Sequence, residues 1–149
     1  GVLKIAAANQ LPVLIPEKEK FFRGSGYLDE FRAAGIDFMV LAGFLWKIPA
    51  SLIRAYPEKI INIHPALLPK YGGKGYYGRH VHEAVLANKE TESGISIHYV
   101  DEILDHGKLI FSASCPVLEN DTPESLAKRV QQLEYAHYPG VIEKVIQQS

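Results

Sequence analysis

The sequence has little of several things. It has one cysteine, Cys115, so it cannot close an internal disulfide, which removes the disulfide-stapled secreted scaffolds and suits a reducing cytoplasm. No apolar run approaches the roughly 20 residues that a membrane helix needs, and the first residues carry no signal-peptide pattern. Charge of one sign is lacking too: 17 acidic against 16 basic residues give a net charge of −1. No global field therefore recruits nucleic acid or an anionic membrane, and neither is expected as a partner. Internal repeats and low-complexity tracts are absent. Methionine occurs once, at Met39, and the chain opens on Gly1, so an N-terminally incomplete chain is expected. What is present is ordinary for a globule: 149 residues, 47% hydrophobic and 22% charged, sized for a single domain over residues 1–149 with a buried core.

Apolar periodicity alternates along the chain. Val2–Asn9 reads as a helix, Pro12–Ile15 as a short strand, and the charged EKEKFFRGSG that follows as a loop broken by Gly24 and Gly26. Tyr27–Ala34 is helical and stops at Gly35, and Ile36–Leu41 is apolar enough for a strand covered on both faces. Pro49 opens a helix through Tyr56, and Ile60, Ile61 and Ile63 form a strand ended by Pro65. Pro69–Arg79 must be a loop. A helix over His80–Asn88, a strand over Gly94–Val100, an extended run over Leu109–Val117 and a helix capped by Thr122 complete the pattern. Strands alternating with helices predict a three-layer α/β fold with a mostly parallel sheet. Ligands in such sheets sit beyond the strands' carboxyl ends, which singles out Gly43–Ile48, Asn62–Tyr71 and the turn around Asp105.

Within those segments, Asn62 and His64 stand two apart at a strand's end and so share a face. Polar groups among Ile60, Ile61 and Ile63 are costly to bury unless used or satisfied. Two readings stand side by side, a reactive pair and a strand-end pair tied to nearby backbone. Asp105 follows an apolar pair and precedes Gly107, so it points inward. A buried carboxylate that orients a histidine is a recurring catalytic device, and a turn aspartate bonded to backbone is its bland alternative. His80, His82 and His98 raise a metal site, but residues two apart on a helix face different ways and nothing completes a ligand set, so no metal is expected. Cys115 reads as a small core residue, His106 as an exposed turn residue, and His137 as either a lining or a helix-capping residue.

The run NIHPALLPKYGGKG, followed by a helix, ESGISIHYV and LDHG, resembles the folate-dependent formyltransferases. The likeness extends through LAGFLW before it and CPVLENDTPESLAKRVQQLEYAHYP after it, from about Ile36 to Pro139, and is strongest to the branch that formylates glycinamide ribonucleotide in purine synthesis. The resemblance implies a formyltransferase-type sheet and 10-formyltetrahydrofolate as co-substrate, without a metal. It implies Asn62, His64 and Asp105 as the catalytic set. It further implies folate contacts at Leu45, Trp46, Lys47, Ile48, Asn62 and Asp101, Glu102, Ile103, Leu104, Asp105, and ribonucleotide contacts at Gln131 and Glu134. In that chemistry the substrate amine attacks the formyl carbon, Asn62 and a protonated His64 donate to the oxyanion, and Asp105 raises the basicity of His64 and helps move the proton. Two features depart from the family: the glycine loop after His64 is longer, and the first strand with its Gly/Ser/Asn phosphate loop has no counterpart. That second departure keeps open a folate-binding fragment without turnover, beside a formyltetrahydrofolate hydrolase using water as acceptor. A tRNA formylase fits less well, because this chain lacks that enzyme's basic domain.

Overall fold

The computed structural model describes all 149 residues. Helix α1 (Val2–Ala8) is followed by α2 (Lys18–Phe22), α3 (Leu28–Ala33), β1 (Met39–Leu41), α4 (Ala50–Ala55), β2 (Ile60–His64), α5 (Arg79–Ala87), β3 (Glu92–Tyr99), β4 (Leu109–Pro116) and α6 (Pro123–Gln147). The four strands form one sheet in the order β1-β2-β3-β4. β1 and β2 pair in parallel, whereas β3 runs antiparallel to both neighbours. Three of the four strands thus point the same way, as the mostly parallel reading expects, and the reversal of β3 makes the sheet mixed. β4 returns antiparallel beside β3 because segment 100–108 is too short for a parallel crossover.

Helices cover both faces, giving three layers. On one side Ile61, Ile63, Ile95 and Ile97 pack with Val85 of α5 and with Leu126 and Val130 of α6. On the other side Ile60 packs with Leu52, Tyr56, Ile48, Phe21 and Tyr27. The long α6 starts as its sequence demands: Thr122 Oγ1 accepts from the Ser125 N–H, and the Ser125 hydroxyl returns the bond to the Thr122 N–H.

Three local expectations need correction. Pro12–Ile15 forms no strand, since no neighbouring strand offers it a ladder. The charged segment after it is not all loop, because Phe21 buries itself against Phe44 and Trp46 and carries α2 with it. The strand expected over Ile36–Leu41 shortens to Met39–Leu41 and is not covered on both faces; it lies at the sheet's edge with Val40 40% exposed.

Candidate active site

β2 delivers Asn62 and His64 to the same face at its carboxyl end. Asp105 comes from the turn between β3 and β4, in the left-handed region at φ +54°, a conformation that aspartate tolerates better than most residues. Gly107 makes that turn possible, for any Cβ there would collide with the Tyr99 carbonyl. The Leu-Asp-His-Gly spacing therefore has a steric cause.

The three residues meet. His64 Nδ1 lies 3.4 Å from Asp105 Oδ1, and the two side chains are 5% and 13% exposed. The second carboxylate oxygen, Oδ2, accepts the Gly73 N–H at 2.9 Å. His64 Nε2 lies 2.6 Å from the Tyr71 carbonyl; a carbonyl can only accept, so Nε2 carries the proton and donates. His98 faces Asn62 across the β2–β3 ladder. Its Nδ1–H donates to the Tyr99 carbonyl at 2.9 Å, which leaves Nε2 to accept the Asn62 Nδ2–H at 3.3 Å. Asn62 keeps a second amide hydrogen. Both nitrogens of His64 face protein acceptors, so it has no spare N–H to aim at a ligand.

Burial sets the charge of His64. It pulls the imidazole below its ordinary pKa, and the upward pull of Asp105 and the Tyr71 carbonyl does not make up the difference. The raised basicity expected for His64 is therefore outweighed, and the ring is neutral near pH 7. Asp105 goes the other way. Burial pushes its carboxyl up, but its hydrogen-bond partners outweigh burial and hold it below the ordinary value, hence ionised; with His98 Nε2 and His64 Nδ1 bare, the standing donor among them is the Gly73 N–H. A neutral imidazole beside a carboxylate is a proton acceptor waiting for a donor.

An open cleft of about 1080 Å³ runs past this group. Its walls include Leu45–Ile48, Asn62, His64, Asp101 and Ile103–Asp105, the glycine loop Gly73–Arg79, and Gln131 and Glu134 of α6. Every site residue singled out in the sequence lines it except Glu102, whose side chain is exposed 4.0 Å from Arg54. Leu45, Ile103 and Leu104 offer exposed apolar area at 66%, 59% and 41%, whereas Ile48 is sunk in the core beneath and Trp46 packs on Phe21 and Phe44. Glu134 is half-buried, and burial raises its carboxyl above the usual value. His137 does not line the cleft; its ring packs 5.0 Å from that of Phe111. His106 is exposed, and its Nδ1–H donates to the Asp101 carboxylate at 2.9 Å.

Residues 3–142 match the formyl transferase family. The chain belongs to that family. It is 44% identical over 147 residues to a protein named phosphoribosylglycinamide formyltransferase, chloroplastic, from Arabidopsis thaliana, covering 95% of this chain and 50% of that one. A crystal structure of phosphoribosylglycinamide formyltransferase from Bacillus halodurans superposes with a TM-score of 0.87 at 30% identity, covering 97% of this chain and 74% of that chain. The corresponding enzyme structure from Anaplasma phagocytophilum gives 0.86 at 32% identity, covering 98% and 69%. The chain spans about half the length of the curated relatives it matches, at 50% and 49%.

Within this formyl transferase chain, sequence reasoning missed His98, Tyr71 and Gly73 as members of the polar group. His98 was legible in principle. It alternates with Ser96 along β3, and that period puts it on the ladder opposite Asn62. Tyr71 and Gly73 act through backbone groups, which carry no side-chain signature. No helix is long and apolar enough to cross a membrane.

Proposed function

We propose that this chain transfers a formyl group from 10-formyltetrahydrofolate to the amine of glycinamide ribonucleotide. The observation that carries the reading is the convergence of Asn62, His64 and Asp105 at one cleft between two different walls. The wall formed by Leu45–Ile48 and Asp101–Asp105 offers apolar area and loop backbone for a pteridine. The wall formed by Gln131 and Glu134 offers polar groups for ribose hydroxyls.

The chemistry runs without covalent attachment to the enzyme. The substrate amine forms a C–N bond to the formyl carbon, whose carbonyl electrons move onto oxygen. The free Nδ2–H of Asn62 is the side-chain donor nearest to hand for that oxyanion. The amine's proton leaves towards Asp105, and His64 Nδ1 shares or takes it, an imidazolium being stabilised by the adjacent carboxylate. Collapse of the intermediate breaks the bond from carbon to the folate nitrogen, which receives the proton. His64 contributes through Asp105 and not as a direct oxyanion donor, because Nε2–H is engaged by Tyr71.

The span 1–149 reads as one formyltransferase domain in which the family's Gly/Ser/Asn phosphate loop has no counterpart. Such a chain holds the folate better than the ribonucleotide, since Glu134 is an acid and cannot replace backbone donors to a phosphate. A cytoplasmic setting is supported by the lone, buried Cys115. The test is calorimetry with a formyl-folate analogue and with glycinamide ribonucleotide, followed by an absorbance assay of folate deformylation. Deformylation that depends on the ribonucleotide supports transfer. Deformylation in its absence points to a hydrolase, and folate binding with no turnover to a binding module.

A further inference from the structure

The segment that follows the catalytic strand does two things at once. The Tyr71 carbonyl takes the Nε2–H of His64 at 2.6 Å, and two residues on the Gly73 N–H holds Asp105 Oδ2 at 2.9 Å. Residues 71–73 therefore bracket both members of the dyad with backbone groups. Backbone this rich in glycine cannot hold itself, however. Gly72 and Gly73 follow Tyr71 directly, Gly73 at φ +92°, and Gly75 and Gly78 also lie in the left-handed region. Tyr71 itself sits at φ +57°, where a bulky aromatic residue stays only when its surroundings hold it.

The hold comes from outside the cleft. The Tyr71 hydroxyl donates to Glu90 Oε1 at 2.7 Å, and Lys70 Nζ reaches the same oxygen at 3.0 Å. Glu90 lies just past the end of α5, and its own N–H is bonded to the Val85 carbonyl at 3.2 Å. Val85 belongs to the core, so Glu90 is anchored to the rigid body of the domain. The chain of contacts runs from core helix to Glu90, to the Tyr71 hydroxyl, to the Tyr71 carbonyl, to His64 Nε2–H. None of it touches the cleft-facing atoms of Asn62 or Asp105.

We propose that Glu90 and Tyr71 are positioning residues that fix the tautomer and ring orientation of His64, keeping the proton on Nε2 and the lone pair of Nδ1 towards Asp105. The role matters because a neutral imidazole has one lone pair, and only the Nδ1 lone pair faces Asp105. The wrong tautomer turns that nitrogen into a donor and removes the acceptor that the transferred proton needs. The contribution to rate rests on the formyl-transfer reading, whereas the tautomer does not.

The experiment uses the full chain labelled with 15N-histidine, with His64 assigned by its loss in His64→Ala, and compares Tyr71→Phe, Glu90→Leu and Glu90→Gln. Wild type should show His64 protonated at Nε2 and bare at Nδ1. Tyr71→Phe and Glu90→Leu should each give a mixture of tautomers, while Glu90→Gln, which keeps an acceptor oxygen, should stay close to wild type. In the transfer assay the first two variants should lose about tenfold in kcat with the Kd for a folate analogue held within about twofold, and Glu90→Gln should retain most of its rate. An unchanged His64 tautomer in both Tyr71→Phe and Glu90→Leu overturns the proposal. So does a shifted tautomer with kcat unaltered. Should wild type show no transfer at all, the function assigned above fails, and the NMR comparison still decides whether the bracket holds His64.

Discussion

Residues 2–15 and residues 60–73 are built from similar material, short apolar runs punctuated by proline, and they end in opposite states. In the second segment Ile60, Ile61 and Ala66 are at most 1% exposed and His64 is 4% exposed. In the first, Val2, Leu3, Ile5, Leu11, Val13, Leu14 and Ile15 are exposed at 46–76%, and α1 buries no residue at all. Apolar side chains do not bury themselves. They need a surface, and β2 has strands on both sides and helices on both faces, while α1 has neither. The site sits where the chain is held from every direction, which allows polar groups such as His64 and His98 to be buried with partners in place.

The comparison breaks most visibly at the dyad. On the formyl-transfer reading proposed above, in which both act on charge and proton movement in the transition state, His64→Ala and Asp105→Asn should each lower formyl transfer by about 100-fold or more. Affinity for a folate analogue should change little. Isothermal titration beside steady-state kinetics separates the two effects, and a variant that loses folate binding but keeps turnover would contradict the assignment.

The core packed behind β2 should also carry the stability. Leu126 is fully buried between α6 and the sheet, with Val130 beside it. Leu126→Ala removes packing that the rigid sheet cannot collapse to replace, so it should cost about 2–5 kcal/mol in denaturant unfolding. A loss below about 1 kcal/mol would mean that the α6 interface is looser than its burial indicates.

Acid should expose the buried histidines next. Burial lowers the pKa of both His64 and His82 below the ordinary value of 6.5. The unfolded chain then binds protons in a range where the folded chain does not, so stability rises with pH there. Read downward, stability is lost as pH falls from about 6.5 through the folded values. Asp105 adds a later loss, starting below its ordinary 3.8, since its folded pKa is depressed too. Unfolding free energies measured between pH 8 and pH 5 should decline towards acid. In His82→Gln the decline should be shallower; an identical slope would remove His82 from the account.

Much of this was legible in the sequence, for identifiable reasons. The strand carrying Asn62 and His64 announces itself through Ile60, Ile61 and Ile63, and the period of a strand alone puts the pair on one face. Thr122-Pro123 fixes the start of α6, because capping is a local interaction. The inward aim of Asp105 follows from Gly107. What stayed hidden depends on tertiary context. That burial outweighs the carboxylate at His64 is a property of the packed site. The bracket at Tyr71–Gly73 works through a carbonyl and an amide that every residue possesses. The helix α2 was masked by its own charges until Phe21 found Phe44 and Trp46 to pack on.

The smallest effect belongs to the exposed segment. Leu3 and Ile15 are 55% and 73% exposed, so folding withdraws little of either side chain from water. Leu3→Ser and Ile15→Ser should each change unfolding free energy by no more than about 0.5 kcal/mol, the range for surface positions away from special features. Amide exchange should agree. The α1 hydrogen bonds are solvent-facing and should exchange by local opening, well ahead of those in β2 and β3, which close only through the whole domain. The same substitutions should reduce concentration-dependent light scattering, since a contiguous apolar stretch left in water favours association. If Ile15→Ser instead destabilises the monomer by as much as Leu126→Ala, the segment is packed in solution and the contrast between the two regions fails.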